Sequence, residues 1–290
     1  MSPEPVRPTL TVLVPGFALV SDMGQPAFCG VFLIEGPDAD GRLTRILVDP
    51  AHVGRRTVLW AALAARGLSA DDIDQVVLTH AHWDHVQNVD VFPQAEVLLH
   101  PAERAYTLAP HVNDWATPAW TSAMLDLCRL RDVSEGDLLI PGVAILDMPG
   151  HSAGSIGVTV ETDEGLAVIT GDALHFSDVV RTGVNPLVFW DGDQANRSIA
   201  RAVELADVLY PGHDHPFRVT ASGQIEYTSI NEITLVGAAP STPGVHLEPL
   251  GPMALWQMPG IEQQASPERP SNVGRLRGRS IAAGSPVRGV

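Results

Sequence analysis

The sequence predicts an α/β protein of the α+β type, in which mixed β-sheets and helices form a layered sandwich. Short apolar runs rich in β-branched residues, which are typical of strands, occur in both halves of the 290-residue chain. Segments with helical spacing of apolar residues lie between them. These elements do not follow a regular strand–helix alternation, so a fully parallel sheet is not expected. The apolar content of 45% is sufficient for a substantial core.

The predicted elements are bounded by Gly, Pro and Asp, residues that commonly form turns. Strands are predicted over residues 9–14, 31–35, 45–48, 75–79, 96–99, 143–148, 156–161, 166–170 and 208–210. Helices are predicted over residues 55–66, 101–106 and 193–205. Asp193 is the expected N-cap of the last helix. Residues 108–120 combine Pro, Asn, Asp and two tryptophans, and they are expected to form an irregular loop.

The composition of the chain changes near residue 240. Residues 1–240 contain all the predicted strands and helices, and they are expected to form one folded domain. In residues 241–290 Pro, Gly, Ser and Arg dominate, so this C-terminal extension is expected to be flexible.

Charge and cysteine content limit the partners and the location of the protein. The net charge of −16 repels phosphate backbones, so nucleic acid is not an expected partner. The two cysteines, Cys29 and Cys128, allow at most one disulfide, and free thiols are expected. The sequence lacks a basic, apolar secretory signal and any run of about 18 apolar residues that could span a bilayer. These features predict a cytoplasmic protein with no membrane partner.

The densest group of candidate metal ligands directly follows the predicted strand 75–79. Its donors are His80, His82, Asp84 and His85. Residues two apart in an extended segment point to the same side, so the first two imidazoles are expected to converge. Imidazole and carboxylate donors suit zinc or a similar divalent metal. Four donors this close would strain around one tetrahedral ion, so two ions are the easier arrangement.

Three further candidate ligands each follow a predicted strand and a glycine-containing turn. They are His151, Asp172 and His213. Glycine at such a turn lets the backbone approach a crowded site closely. The same order of strand, turn and donor at three separate places indicates a shared metal site.

The motifs THAHWDH, PGHSAGS, TGDALH and YPGHDHP, in this order, resemble those of the metallo-β-lactamase-fold hydrolase superfamily, in particular its lactonase and glyoxalase II-like members. The resemblance covers about residues 9–220, within the predicted domain 1–240. It implies a four-layer αββα sandwich with two mixed β-sheets flanked by helices. It also implies a metal-ligand set, in which His80, His82 and His151 bind one ion, Asp84, His85 and His213 bind a second, and Asp172 bridges both. Asp49 would contact the metal-binding side chains without binding the metal itself.

The resemblance further implies a binuclear zinc hydrolase that cleaves a small ester, lactone or amide with a metal-bridged hydroxide. Iron, manganese or cobalt could replace the two Zn²⁺ ions. Asp84 would orient the nucleophile or carry its proton. His175 would donate a hydrogen bond or a proton to the substrate oxygen. The alternative for His175 is a loop histidine that faces solvent.

Alternative functions of the same fold remain open from the sequence. A mononuclear-iron persulfide dioxygenase is the main one, whereas a nuclease conflicts with the acidic charge. The expected ligand is a small molecule, and homodimer formation is left open. Loop residues predicted to wall a substrate pocket are Phe17, Met23, Trp115 and Trp120, with Trp83 packed under the site. The histidines expected to be structural are His52, His100, His111 and His246, and His215 is expected to lie in a turn.

Overall fold

The computed structural model describes residues 6–21, 24–234 and 253–261. Fifteen strands and six α-helices lie within these ranges. The strands are β1 (Thr9–Val14), β2 (Val31–Pro37), β3 (Leu43–Val48), β4 (Gln75–Val77), β5 (Glu96–Leu99), β6 (Arg129–Asp132), β7 (Leu138–Ile140), β8 (Val143–Asp147), β9 (Ile156–Thr162), β10 (Gly165–Gly171), β11 (Leu187–Val188), β12 (Val208–Pro211), β13 (Phe217–Val219), β14 (Ile225–Tyr227) and β15 (Trp256–Gln257). The helices are α1 (Arg56–Ala65), α2 (Trp83–Val86), α3 (Pro101–Thr107), α4 (Thr121–Leu125), α5 (Asp178–Thr182) and α6 (Gly192–Leu205).

Two large mixed sheets form the centre of the molecule. The first has the order β1-β2-β3-β4-β5-β6, with antiparallel pairs up to β3 and parallel pairs after it. The second has the order β14-β13-β12-β10-β9-β8-β7, in which only the β10–β12 pair is parallel. β11 and β15 form a separate parallel pair.

The sheets pack face to face and helices cover their outer faces. Val48 and Val77 of the first sheet share a buried cluster with Val158 and Ile169 of the second. A second cluster joins the outer face of the first sheet to α1, and a third joins the outer face of the second sheet to α6. The four-layer αββα sandwich implied by the motifs is therefore confirmed.

β2 shows why a central strand has a continuous apolar sequence. Val31 and Leu33 belong to the cluster on the helix side, whereas Phe32 and Ile34 belong to the cluster between the sheets. Successive side chains in a strand point to opposite faces, so a strand buried on both faces has apolar residues at every position.

The start of α6 differs from its prediction. The N-cap is Asp191, whose Oδ1 accepts a hydrogen bond from Gln194 N at 2.7 Å, and not Asp193. Asp193 lies in the first turn of the helix, where a negative charge is favoured by the helix dipole.

The C-terminal extension predicted from residue 241 lies largely outside the described residues. Its described part, 253–261, packs against the domain: β15 pairs with β11, and Met258 is buried with Phe189 and Ala116. No helix in the described part of the chain is long and apolar enough to cross a membrane.

Candidate metal centre

The seven predicted ligand residues lie together at one edge of the sandwich, in segments that follow strands of both sheets, and Asp84 and His85 lie in the short helix α2. The segment 80–85 follows β4, and the other three ligands follow β8, β10 and β12. Donor atoms that lie within 4.8 Å of one another form four groups of three among the described residues. Two of these groups contain Asp172, one with His80 and His85 and the other with His151 and His175. The other two do not contain it. Of these two, the first group is His80, His82 and His151, and the second is Asp84, His85 and His213. These are the two sets that the motifs imply.

Asp172 lies between the two groups and presents one carboxylate oxygen to each. Its Oδ1 is 3.3 Å from His85 Nε2 and 3.2 Å from His213 Nε2. Its Oδ2 is 4.0 Å from His80 Nε2 and 3.7 Å from His151 Nε2. A carboxylate that presents one oxygen to each of two sets of ligands can be shared by two cations.

Several atoms at the centre of the cluster are buried without a hydrogen-bond partner among the described residues. They include Nε2 of His80 and His85, and Oδ1 of Asp172. His82 faces the cluster with its Nδ1, which lies 3.0 Å from His151 Nε2. Buried polar atoms are normally hydrogen-bonded, so a converging set of unpaired atoms calls for a ligand that satisfies them. Imidazole nitrogens combined with a carboxylate suit Zn²⁺ and similar divalent cations. The residues therefore fit a divalent metal site.

Asp49, which directly follows β3, orients the imidazoles of His85 and His80 by hydrogen bonding, directly to the first and through Thr79 to the second. Its Oδ1 accepts from Thr79 N at 2.8 Å, and its Oδ2 accepts from Thr79 Oγ1 at 2.7 Å and from His85 Nδ1 at 2.8 Å. Thr79 Oγ1 in turn lies 3.0 Å from His80 Nδ1. A ring whose Nδ1 holds the proton has its Nε2 lone pair free, so this network turns Nε2 of both histidines towards the cluster.

His151 is held in the same way by the loop that contains β11. Its Nδ1 donates to Leu187 O at 2.6 Å, and its own carbonyl accepts from Phe189 N at 2.9 Å. The Phe189 ring packs on the imidazoles of His82 and His151, with centroid distances of 4.5 and 5.4 Å. The first group is therefore fixed by an apolar neighbour as well as by hydrogen bonds.

Burial and mutual charge shift the pKa values within the cluster. Burial, followed by the charge of His85, holds the pKa of His80 well below its usual range. Burial opposes protonation of His85 and His213 too, but the nearby carboxylates outweigh it, raising the pKa of His85 well above its ordinary value and that of His213 to about 9. The same imidazoles hold the pKa of Asp84 and of Asp172 well below the ordinary value despite burial. Both carboxylates are therefore held in the ionised form that binds cations.

Glu103 of α3 connects the loops that carry the first group, a role that was not predicted from the sequence. It is fully buried. Its Oε1 accepts from Ala81 N at 2.9 Å, and its Oε2 accepts from Ser152 Oγ at 2.8 Å and from Gly154 N at 2.7 Å. One carboxylate thus fixes the backbone between His80 and His82 and the turn after His151. Glutamate is common in helices, so its presence in the predicted helix 101–106 does not indicate that it connects the ligand loops.

Replacing Glu103 with glutamine is expected to weaken metal binding by about 10- to 100-fold, because the amide NH₂ cannot accept the bonds that Oε2 accepts. The measurement is competition with a chelator for bound zinc. Glu96→Gln is the matched control, since Glu96 forms a partly exposed pair with Arg131 and its loss should cost only about 0–1 kcal/mol of stability. Equal zinc affinity of Glu103→Gln and wild type would show that Glu103 does not position the ligands.

Glycine at the turns before the ligands allows the close approach that the sequence predicts. Gly150 has φ of +132°, and a Cβ there would overlap the backbone N and Cα of Ala195 in α6. A Cβ at Gly212 would overlap Asp172 Oδ1. The turns before His151 and His213 therefore cannot accept a larger residue without moving the backbone.

Gly150→Ala is expected to destabilise the protein by about 4 kcal/mol or more, because both the positive φ and the overlap with α6 must be relieved. Denaturant unfolding measures this cost. Gly183→Ala is the control, since Gly183 also has a positive φ but has open space around its Cβ position, and about 1–2 kcal/mol is expected there. Similar destabilisation by Gly150→Ala and Gly183→Ala would contradict the close packing of the 149–151 turn.

His175 is buried next to Asp172 and does not face solvent. Its Nε2 is 3.2 Å from Asp172 Oδ2, and its ring stacks on that of His213 with centroids 6.0 Å apart. The carbonyl of His175 accepts from His213 N at 2.7 Å, which fixes the backbone. The alternative of a solvent-facing loop histidine is thus excluded, because only 5% of the residue is exposed.

A mostly apolar pocket opens next to the cluster. It is lined by Asp84, Asp172, His175 and His213 on the cluster side. The surrounding apolar wall consists of Phe17, Ala18, Leu19, Val20, Ala27, Trp83, Trp115, Ala116, Phe176, Leu187, Phe189 and Met253. A concave apolar site with a few convergent polar groups is the usual form of a small-molecule site.

Only some of the residues that were predicted to line this pocket do so in the structure. Phe17 and Trp115 line it, and Trp83 is part of its wall. Trp120 is instead 47% exposed at the start of α4, and Met23 lies outside the described residues. Phe189 and Met253 were not found from the sequence, because nothing in their immediate neighbours marks a pocket.

The remaining histidines of the described residues do not belong to the groups of donors described above. Nδ1 of His52, His100 and His111 each accepts from the backbone N two residues later. His215 Nε2 donates to Asn231 O at 2.9 Å. The first three are turn or helix-cap interactions, whereas the hydrogen bond of His215 joins it to a segment 16 residues later. His246 lies outside the described residues.

The comparison with known proteins agrees with this geometry. The family described as the Metallo-beta-lactamase superfamily matches residues 26–213. Metallo-beta-lactamase domain-containing protein 1 of Xenopus laevis is 31% identical over 222 residues, which cover 74% of this chain and 83% of that protein. An N-acyl homoserine lactonase of Bacillus cereus is 26% identical over 208 residues, 68% of this chain and 76% of that protein. A solved Thermotoga maritima structure designated a metallo-beta-lactamase superimposes with a TM-score of 0.59 at 22% identity, covering 73% of this chain and 100% of that chain.

Proposed function

The chain belongs to the metallo-beta-lactamase superfamily, and we propose that it is a binuclear zinc hydrolase that cleaves a small ester, lactone or amide. The observation that carries the proposal is the pair of donor groups with Asp172 between them. Two divalent cations held there would supply a hydroxide at neutral pH and polarise the substrate carbonyl. The similarity to an N-acyl homoserine lactonase supports a lactone or another ester as the substrate.

Asp84 and His175 are the residues that we assign to proton handling. Asp84 Oδ2 lies 3.4 Å from His85 Nε2 and 3.3 Å from His213 Nε2, and the residue also lines the pocket. From this position it can accept a hydrogen bond from the attacking water and orient it. His175, whose Nε2 lies 3.2 Å from Asp172 Oδ2, can donate a proton from its ring to the leaving oxygen.

The pocket supports an apolar acyl group on the substrate. Its wall is formed mainly by aromatic and aliphatic side chains, and its polar groups, apart from Gln25, belong to the cluster. A substrate with a polar reacting end and a hydrocarbon chain satisfies both parts of the pocket, because the chain gains free energy by leaving water.

The second donor group favours hydrolysis over the dioxygenase alternative. A mononuclear-iron dioxygenase needs one set of metal ligands, and His80, His82 and His151 would be sufficient. The additional group of Asp84, His85 and His213 has its own convergent donors, including the buried, unpaired His85 Nε2. Bound iron together with oxygen uptake on a persulfide substrate would support the alternative.

We also propose a cytoplasmic location, which the free thiols of Cys29 and Cys128 support because reducing compartments keep thiols unpaired. Burial raises the pKa of Cys29 to about 12, so its thiol is not poised as a nucleophile. The Cys29 thiol donates to Asp84 O at 3.0 Å and thereby helps to hold the ligand loop.

The function is tested by purifying the protein with zinc, counting metal ions per chain and assaying panels of lactones and aryl esters. We expect two zinc ions and turnover of at least one class. His82→Ala should lose zinc and most of the activity, whereas His111→Asn, which removes a histidine from a loop away from the cluster, should lose neither. Less than one bound metal per chain, or full activity of His82→Ala, would refute the proposal.

A further inference from the structure

We propose that residues 253–261, here called the C-terminal strap, are a specificity element that closes the apolar pocket and limits the length of the acyl chain it accepts. This inference rests on the proposed function, since it concerns the substrate of the same site. The domain predicted from the sequence ends at residue 240, yet the strap returns to the pocket and contributes a wall residue, Met253.

Backbone hydrogen bonds fix the strap to two loops that carry pocket residues. Trp256 N donates to Pro186 O and Met258 N donates to Val188 O, each at 2.8 Å, in a parallel pairing with β11. On its other side, Asn113 Nδ2 donates to Pro259 O at 2.8 Å. The strap therefore joins the loop at 108–120 to the segment around β11, which are far apart in sequence.

Side chains of the strap pack directly against the pocket wall. The Trp256 ring lies 4.9 Å from the Phe189 ring and 6.0 Å from the Trp115 ring, measured between centroids. Met258 is 1% exposed and shares a buried cluster with Phe189. Phe189 in turn packs on the imidazole of His82. The strap is thus in contact with the wall that adjoins the first ligand group.

Met253 is the strap residue that meets the pocket space itself. Methionine is flexible and apolar, so it can adjust to a hydrocarbon chain while still bounding the space available to it. A smaller residue at this position would lengthen the apolar space, and a larger one would shorten it. Substrates with a short acyl group react without extending far along the wall, so both changes should affect them less than substrates with a long acyl group.

The test uses p-nitrophenyl esters from acetate to decanoate with Met253→Ala and Met253→Trp. We expect the decanoate-to-acetate ratio of kcat/KM to rise by about 10-fold in Met253→Ala and to fall by about 10-fold in Met253→Trp, since one or two methylenes in an apolar pocket discriminate by this order. Zinc content of both variants should stay within about twofold of wild type, because Met253 is not a metal ligand. Leu255→Ala is the matched control, because Leu255 is 69% exposed on the same strap and does not line the pocket. An unchanged ratio in both folded Met253 variants would overturn the inference.

A binding measurement separates failure of this inference from failure of the proposed function. Titration of free decanoate, followed by tryptophan fluorescence, reports on the pocket without any turnover. We expect wild type to bind decanoate and Met253→Trp to bind it at least about 10-fold more weakly. Such a result with no ester hydrolysis would reject the proposed reaction but keep the strap as a chain-length limit. Equal decanoate affinity in the two proteins, or no binding by wild type, would overturn the strap assignment even if the esters are hydrolysed.

Discussion

Asp172→Asn is expected to lower kcat/KM for the best ester or lactone substrate by about 10³-fold or more, equivalent to about 4 kcal/mol of transition-state stabilisation. Asparagine has nearly the same shape, but its amide supplies a single neutral oxygen. The carboxylate faces His85 and His213 with one oxygen and His80 and His151 with the other. A neutral side chain cannot serve both groups or offset the charge of two cations, so metal content is expected to fall as well.

The measurement is steady-state kinetics together with metal analysis of the same preparation. Asp178→Asn is the control: Asp178 lies six residues later, is partly exposed and pairs with Arg181 on the surface. Its replacement should change kcat/KM by less than about twofold, because surface ion pairs contribute little. Retention of two metals and full activity by Asp172→Asn would show that the carboxylate does not join the two groups.

Asp49→Ala is expected to reduce the free energy of unfolding by about 3–5 kcal/mol, the range for removing one partner of a buried ionic network. The substitution leaves Thr79 N, Thr79 Oγ1 and His85 Nδ1 without their acceptor. Asp49 also has φ of +54°, a conformation that alanine adopts less readily than aspartate or asparagine. Asp49→Asn should therefore lose less stability than Asp49→Ala.

Urea unfolding of the metal-free proteins measures this effect without a contribution from bound metal. Asp191→Ala provides the comparison, because Asp191 accepts a single backbone hydrogen bond at the start of α6 and its loss should cost about 1 kcal/mol. An equal loss of unfolding free energy in Asp49→Ala and Asp191→Ala would contradict the role of Asp49 as the acceptor that holds the ligand loop.

The ligand residues could be predicted from the sequence because their signal is local. The segment 80–85 places four donors within six residues, and His151, Asp172 and His213 each follow an apolar strand and a glycine. Buried strands usually end in turn residues, so a repeated histidine or aspartate at this position indicates a metal site. The order of the four motifs also matched a known family. The structure brings all seven residues together.

Glu103 and the strap could not be predicted because their partners are distant in sequence. Glu103 is bonded to groups 22 to 51 residues away, and the strap pairs with β11 about 70 residues upstream. A helical Glu, or a Trp and a Met within a Pro-rich segment, has the same local sequence whether or not such contacts form. Tertiary packing alone assigns these residues to the site.

The edge strands β6 and β7 were missed for a different reason. β6, with the sequence Arg-Leu-Arg-Asp, has one apolar residue, and β7 has only three residues. Charged side chains and short length are typical of edge strands, so β6 has no apolar run and the apolar run of β7 is too short to predict a strand. The N-cap of α6 was misplaced by two residues because Asp191 and Asp193 are both acceptable caps by residue type, and only the backbone at Asp191 has the extended conformation.

The central claim, that two metal ions share Asp172, is tested most directly by anomalous diffraction at the zinc edge from crystals of the zinc-loaded protein. We expect two peaks about 3.5–4 Å apart. One should lie beside His80, His82 and His151, the other beside Asp84, His85 and His213, with a carboxylate oxygen of Asp172 next to each. A single peak at full zinc occupancy, or zinc bound only outside this cluster, would contradict the binuclear site.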